Sequence, residues 1–210
     1  MSDPIDDVTP GQVGIWMTTN RLSNLVDGIF TFAMTLLVLT IDLPRTMDLS
    51  GGLLHRELFN QWQDIFNYAL SFILLATFWM THHVGFHNIK RTDGRLIWIN
   101  IFTMLFVVLV PYATSLVGDY NGDWLVELIF TLDLFLIGLG FWVNWVYATY
   151  KHRLVDPDLS QARIARGRRR GLIVPAVSLV AMILALLVPG YSSYAYISIP
   201  ILLSLKPFRN

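Results

Sequence analysis

Asp27 is an ionisable side chain inside an apolar segment, and it is the residue type in this chain most suggestive of chemistry. It lies about one turn inside a run of roughly twenty mostly apolar residues. A carboxylate costs about 2.5–3.5 kcal/mol at the centre of a bilayer, so such residues tend to mark a functional group or a partner. Arg21 lies six residues earlier, which is not the i, i+4 spacing of a direct pair. We interpret Asp27 as a group that holds this helix through Arg21 or another helix, with contact to permeating ions as the alternative.

The same segment carries a stripe of apolar and hydroxyl side chains. Gly28, Phe32, Thr35, Leu36 and Leu39 recur at three- and four-residue spacing and therefore share one face of a helix. Such a stripe is typical of helix packing in a membrane. Its periodicity alone favours packing over assembly around a pore.

Histidines follow at the end of the second apolar segment. His82 and His83 are adjacent and face different directions, whereas His83 and His87 are four apart and share a face. No third ligand follows at the spacing of a metal motif, so hydrogen bonding is favoured over a metal site, and a pH-sensing role is open. Other polar side chains inside apolar segments are predicted to hydrogen-bond between helices: Asn67, Asn100, Asp133 and Asn144.

The composition indicates that membrane-spanning helices hold these residues. Of 210 residues, 54% are hydrophobic and 14% are charged, against about 25% charged in an average soluble domain. Formal net charge is zero, which suggests no nucleic-acid partner. Cysteine is absent, and we find no phosphate loop, GxSxG or HExxH motif, so neither an enzyme site nor a bound cofactor is predicted.

Six transmembrane helices are predicted from runs of about twenty apolar residues. They are expected at 24–43, 62–84, 96–117, 124–150, 172–188 and 191–205, between an arm at 1–23 and a tail at 206–210. The last two are short and joined by the turn pair Pro189-Gly190, so a hairpin of tilted or re-entrant helices is open. The acidic start precedes a long apolar run, so we expect a retained helix and not a cleavable signal peptide.

The distribution of basic residues predicts orientation. Thirteen of the fifteen Lys and Arg residues fall on one side of this arrangement, which predicts cytoplasmic termini and an even number of spans. The cluster from Arg166 to Arg170 is interpreted as part of this topology signal. Contact with anionic membrane lipids is its main alternative, ahead of nucleic-acid binding.

Several runs of residues together resemble the signatures of one known family. The first helix reads Arg21-x-x-x-Leu25-Val26-Asp27-Gly28 and then Ala33-Met34-Thr35-Leu36-Leu37, which resembles the R-x-x-x-F-S-D-G…T-L-L signature of the transmembrane protein 175 family of potassium channels. The second and third helices resemble that family through Phe78-Trp79 with His82-His83, through Arg95 to Asn100, and through Pro111 to Thr114. The chain departs from the signature at Leu25-Val26, where the family has Phe-Ser.

The resemblance implies a function and an assembly. Bacterial members are single six-helix repeats that form homotetramers, and the first helix of each copy lines the pore. By the same resemblance, apolar rings fall on Phe32, Leu36 and Leu39, with a hydroxyl layer at Thr35. The family usually has Ile or Leu at the position of Phe32. The side chains implied to support the pore helix are Arg21, Asp27, Trp79, His82 and His83.

We therefore expect a potassium-favouring monovalent cation channel in a bacterial inner membrane, with K⁺ only in transit and a hydrophobic constriction. Acidic residues near the mouths are candidates for raising local cation concentration, with solvated loop positions as the alternative: Asp42, Asp48, Asp119 and Asp123. A proton-coupled secondary transporter using Asp27, Asp133 and His82 or His83 is the competing hypothesis, although inverted repeats are not evident. A membrane scaffold without transport is the third.

Overall fold

The computed structural model describes residues 17–41, 55–56, 59, 61–120 and 122–204. The predicted arm before residue 17, the tail at 206–210, Asp42 and Asp48 lie outside these ranges. Within the ranges the chain is helical apart from turns, short connections and one isolated antiparallel bridge between Ile89 and Val155.

The helices have the following bounds. They are α1 (Thr19–Leu36), α2 (Trp62–His87), α3 (Gly94–Asp119), α4 (Trp124–Thr149), α5 (Gln161–Gly171), α6 (Ile173–Leu187) and α7 (Ser198–Ser204). A 3₁₀ turn at Leu37–Thr40 extends α1, another at Tyr150–His152 follows α4, and a third at Ser192–Ile197 precedes α7.

Five helical segments in the described ranges are long and apolar enough to cross a bilayer. They are Thr19–Thr40, Trp62–His87, Gly94–Asp119, Trp124–His152 and Gln161–Leu187. The chain is therefore a multi-pass membrane protein, and the predicted all-α membrane class is confirmed. The sixth predicted span is a shorter apolar segment, Ser192–Leu203, of which the first half is 3₁₀ helix. Six spans and cytoplasmic termini therefore stay predictions.

Two helix starts differ from those expected, and capping explains both. Helix α1 begins at Thr19, ahead of the predicted residue 24, because the Thr18 hydroxyl accepts a hydrogen bond from the Arg21 amide over 3.4 Å. The basic stretch before α6 was predicted as a loop, but it forms α5. There the Ser160 hydroxyl caps the helix by accepting from the Arg163 amide over 3.3 Å.

The core lies between α1, α2, α3 and α4. Helix α3 packs along α4 and also contacts α1 and α2, while α6 packs on the other side of α4. Phe30 of α1 stacks on Phe141 of α4 with ring centroids 6.2 Å apart, and Phe78 of α2 contacts the same ring at 6.2 Å. This aromatic cluster fixes α1 against two neighbours.

The Pro189-Gly190 turn is fastened to α4. Gly190 has φ +95°, a conformation that favours glycine, and its amide donates to the buried Glu127 carboxylate. Beyond the turn, the hydroxyl of the buried Tyr196 donates to Ser178 Oγ over 3.2 Å. The short sixth segment is thus held against α4 and α6.

Candidate ion pathway and its supporting network

Helix α1 has one fully covered face and one open face. The covered face is formed by Leu22, Val26, Phe30, Ala33 and Leu37, all of them buried. The opposite face carries the four predicted pore residues, and they are exposed: Phe32 (71%), Leu36 (44%), Leu39 (74%) and Thr35. These four share a surface that the described part of the chain leaves uncovered.

The 3₁₀ turn at the end of α1 alters the register of this face. A 3₁₀ helix has three residues per turn, so side chains three apart align along the axis. The change at Leu37 places Leu36 and Leu39 in line. The sequence pattern had placed Leu36 and Leu39 on one face by assuming a uniform α-helix up to residue 43, so it did not predict the 3₁₀ turn.

The Thr35 hydroxyl has a defined orientation. It donates to the Phe32 carbonyl over 2.8 Å, and Thr31 and Thr40 make the same kind of backbone bond at 2.8 Å. A hydroxyl has one donor and two acceptor lone pairs, so the proton is used within the helix. The Thr35 oxygen keeps acceptor capacity on an exposed side chain, which suits it to contact a cation.

Asp27 finds its partner on another helix. The Trp79 indole Nε1 of α2 donates to Asp27 Oδ1 over 2.8 Å. Arg21 is exposed and makes no ion pair with Asp27 in the described part of the chain. Of the two partners that the sequence left open, the structure shows the one on a different helix. The indole ring of Trp79 also lies against His83, with centroids 5.8 Å apart.

A second polar connection joins α2, α3 and α4 in the core. His82 Nε2 and Asn100 Oδ1 are 3.2 Å apart, and Asn100 Nδ2 donates to Asn144 Oδ1 over 3.0 Å and to the Leu96 carbonyl over 2.8 Å. A carbonyl only accepts, so Nδ2 of Asn100 must face Leu96, and His82 therefore donates from Nε2 to Oδ1. The predicted interhelical bonding of Asn100 and Asn144 is confirmed.

Two other polar predictions are wrong in this structure. Asp133 is buried, but neither carboxylate oxygen has a hydrogen-bond partner in the described residues. Within the described residues, Asn67 accepts only from Gln63, four residues earlier on the same face of α2. Glu127 was missed, although an ionisable residue one turn inside a predicted span is the signal that flagged Asp27.

The two predicted mouth residues that the structure describes, Asp119 and Asp123, make hydrogen bonds within the protein. Asp123 caps α4 by accepting from the amides of Leu125 (2.8 Å) and Val126 (3.2 Å), and Asp119 accepts from Ser115 at 3.5 Å. No group of three His, Asp or Glu side chains in the described ranges could hold a metal ion.

Comparison with known proteins decides the family. Residues 21–111 match the family model described as endosomal/lysosomal potassium channel TMEM175. A protein of Streptomyces collinus named as a potassium channel is 31% identical over 156 residues, which cover 71% of this chain and 75% of the relative. This chain belongs to the TMEM175 family. A potassium channel of Chamaesiphon minutus is also 31% identical over 102 residues, about half of each chain.

The fold agrees with that of a solved TMEM175 protein. A crystal structure of a lysosomal potassium-selective channel TMEM175 homolog from Chamaesiphon minutus superposes with a TM-score of 0.78 at 23% identity, covering 91% of this chain and 98% of the other. TMEM175 is a family of ion channels and not of enzymes. The matched stretch 21–111 contains nearly all of α1, the 3₁₀ turn after it, α2 and most of α3. It includes all nine predicted pore and support residues.

Proposed function

We propose that this chain is a potassium-favouring monovalent cation channel, formed by four copies in a bacterial inner membrane. The α1 helices line the pore, and Phe32, Leu36 and Leu39 form its constriction. The observation that carries the proposal is the open face of α1, on which these apolar side chains are exposed while the opposite face is buried. Family membership and the relatives named as potassium channels support it.

An apolar constriction controls ion permeation through the presence or absence of water inside it. Rings of large apolar side chains gate by dewetting, and hydroxyl oxygens can replace part of an ion's hydration shell. The exposed Thr35 oxygen lies between Phe32 and Leu36 in sequence and keeps free acceptor capacity. The four pore residues carry no charge and no carbonyl filter motif is present, so selectivity among monovalent cations is expected to be modest.

The polar contacts behind α1 set which side chains face the axis. The Asp27–Trp79 hydrogen bond fixes the rotation of α1 against α2, and Phe30 fixes it against α4. A rotation of one residue about the axis is 100°, which would replace the pore residues with different ones. We therefore propose that Asp27, Trp79, His82 and His83 position α1. Arg21 lies in the first turn of that helix.

Ion flux in proteoliposomes tests the proposal. Phe32→Ser and Leu36→Ser should each change K⁺ flux roughly tenfold, since about 1.4 kcal/mol on a barrier alters a rate tenfold, or should change the K⁺/Na⁺ ratio. Ile183→Ser is the matched control, because Ile183 is an apolar side chain of α6 with comparable exposure (56%).

Three results bear on the alternatives. Flux that responds to Ile183→Ser but not to the α1 variants would contradict an α1-lined pore. Saturable uptake abolished by Asp133→Asn would indicate the proton-coupled transporter. Protein that passes no ions at any potential would indicate the scaffold.

A further inference from the structure

A cavity of about 440 Å³ lies at the end of the molecule where α2 finishes and α5 begins. Its walls come from the last turns of α2, from the last third of α4 and from one face of α5. It is separate from the open face of α1, because no α1 residue lines it. The proposed pore surface therefore does not account for it, although His82 and His83 of the supporting network lie on its α2 wall.

Contacts between α5 and α4 build one wall. Trp145 Nε1 donates to the Ile164 carbonyl over 3.2 Å, which anchors α5 to α4. Gly167 lies against the same indole so closely that a Cβ atom there would collide with its ring. The cavity is thus framed by a fixed helix and not by a loose loop.

The α5 wall is strongly basic. Arg163, Arg166 and Arg170 line the cavity and are spaced three and four residues apart, so they share one helical face. Among the described residues, Arg163 and Arg166 make no ion pair or side-chain hydrogen bond. The described lining of the cavity contains no Asp or Glu. Cations at this spacing repel one another unless an anion lies between them.

The facing wall adds an unpartnered polar atom. His82 is 97% buried and lines the cavity. Because its Nε2 donates to Asn100, the unpartnered Nδ1 of the neutral ring is an acceptor and does not itself bind an anion. His83 and His87 line the same space. The basic groups of the cavity therefore come from α5, and the imidazoles of α2 add polar lining on the facing wall.

The arginines directly precede the apolar helix α6. Helix α5 ends at Gly171, and the apolar α6 follows after one residue, with Leu179, Ile183 and Leu186 exposed along it. A basic helix that joins an apolar one is typical of a membrane interface, where each basic residue near an anionic surface contributes about 1 kcal/mol.

We propose that this cavity binds the phosphate of an anionic phospholipid headgroup between Arg163 and Arg166. The guanidinium groups bind the phosphodiester, and the apolar lining from Phe86, Ile89 and Phe141 contacts the glycerol and the first acyl carbons. That apolar lining favours a lipid over free inorganic phosphate, which has no apolar part.

Calorimetric titration of the full-length protein in a neutral detergent tests the proposal. The probes are dioctanoyl phosphatidylglycerol, dioctanoyl phosphatidylcholine and inorganic phosphate at equal ionic strength. The double variant Arg163→Gln/Arg166→Gln should weaken phosphatidylglycerol binding by at least about tenfold. Arg168→Gln/Arg169→Gln is the matched control, with the same change in charge on exposed α5 residues that do not line the cavity, and should bind like the unmodified protein.

Each remaining outcome overturns the assignment. Equal loss in both double variants would mean general surface charge and no built site. Phosphatidylcholine binding as tightly as phosphatidylglycerol would remove the role of negative charge. Inorganic phosphate binding as tightly as the lipid would make the ligand a free anion, and absence of phosphatidylglycerol binding would leave no headgroup site.

Discussion

Asp27 shows how a carboxylate is accommodated inside a membrane helix with no ion pair among the described residues. Its hydrogen-bond donor is an indole nitrogen 52 residues further along the chain, on α2. The sequence showed that a partner was needed, because an ionisable group in a span is costly. It did not identify the partner, because a contact over that separation depends on how α1 and α2 pack.

The Asp27–Trp79 bond predicts a measurable stability. A hydrogen bond to a charged group contributes about 1.5–3 kcal/mol, and the partial exposure of both side chains places this one at the lower end. Trp79→Phe should therefore lower the free energy of unfolding by about 1–2 kcal/mol in denaturant titrations of the detergent-solubilised protein.

Trp98→Phe provides the comparison for that measurement. Trp98 is an exposed indole on α3 that contacts Phe102 at 5.7 Å, with no hydrogen bond from its nitrogen in the described residues. Its replacement should change stability far less. Equal losses in the two variants would show that the indole of Trp79 acts through packing and not through Asp27.

At the scale of the helices, the length of the apolar runs predicted where the membrane helices lie better than it predicted where they begin and end. Runs of about twenty apolar residues gave α2, α3 and α4 within three residues at each end. Caps shifted the start of α1, and the strongly basic α5 escaped prediction because it lacks an apolar run. The segment after Gly190 begins as 3₁₀ helix at Ser192–Ile197 and continues as α7 over the last described residues.

Close approach of α3 and α4 depends on a glycine. A Cβ atom at Gly140 would collide with the Thr103 side chain of α3, including its hydroxyl oxygen. Small residues at membrane helix interfaces allow such approach. Gly140→Ala should destabilise the protein by about 1–3 kcal/mol, the usual cost of overpacking, as measured by thermal or denaturant unfolding.

Two variants separate overpacking from a general effect of alanine. Gly94→Ala adds a Cβ with nothing within 4 Å and should be neutral. Thr103→Ala in the Gly140→Ala background removes most of the colliding atoms and should recover part of the loss. Destabilisation by Gly94→Ala of the same size, or no recovery in the double variant, would exclude the collision as the cause.

At the scale of the whole molecule, the sequence and the structure support different parts of the proposed pore. The family signature in the sequence implied which α1 residues face the axis, whereas periodicity alone favoured packing. The structure adds that the described part of the chain leaves this face uncovered, and that Phe32 and Leu39 are among the most exposed apolar side chains of those residues. Neither supplies the neighbouring copies, because an assembly is a property of several chains. The central claim is therefore that copies of α1 meet around one axis.

Disulfide cross-linking in the membrane tests that claim most directly. The chain has no cysteine, so each single substitution gives a unique thiol. Disulfides need Cβ atoms about 3.5–4.5 Å apart, so they form only where copies approach closely. Under mild oxidation, Leu39→Cys should give covalent dimers, whereas Ile183→Cys on α6 should stay monomeric. Dimers from Ile183→Cys with none from Leu39→Cys would contradict an α1-lined axis.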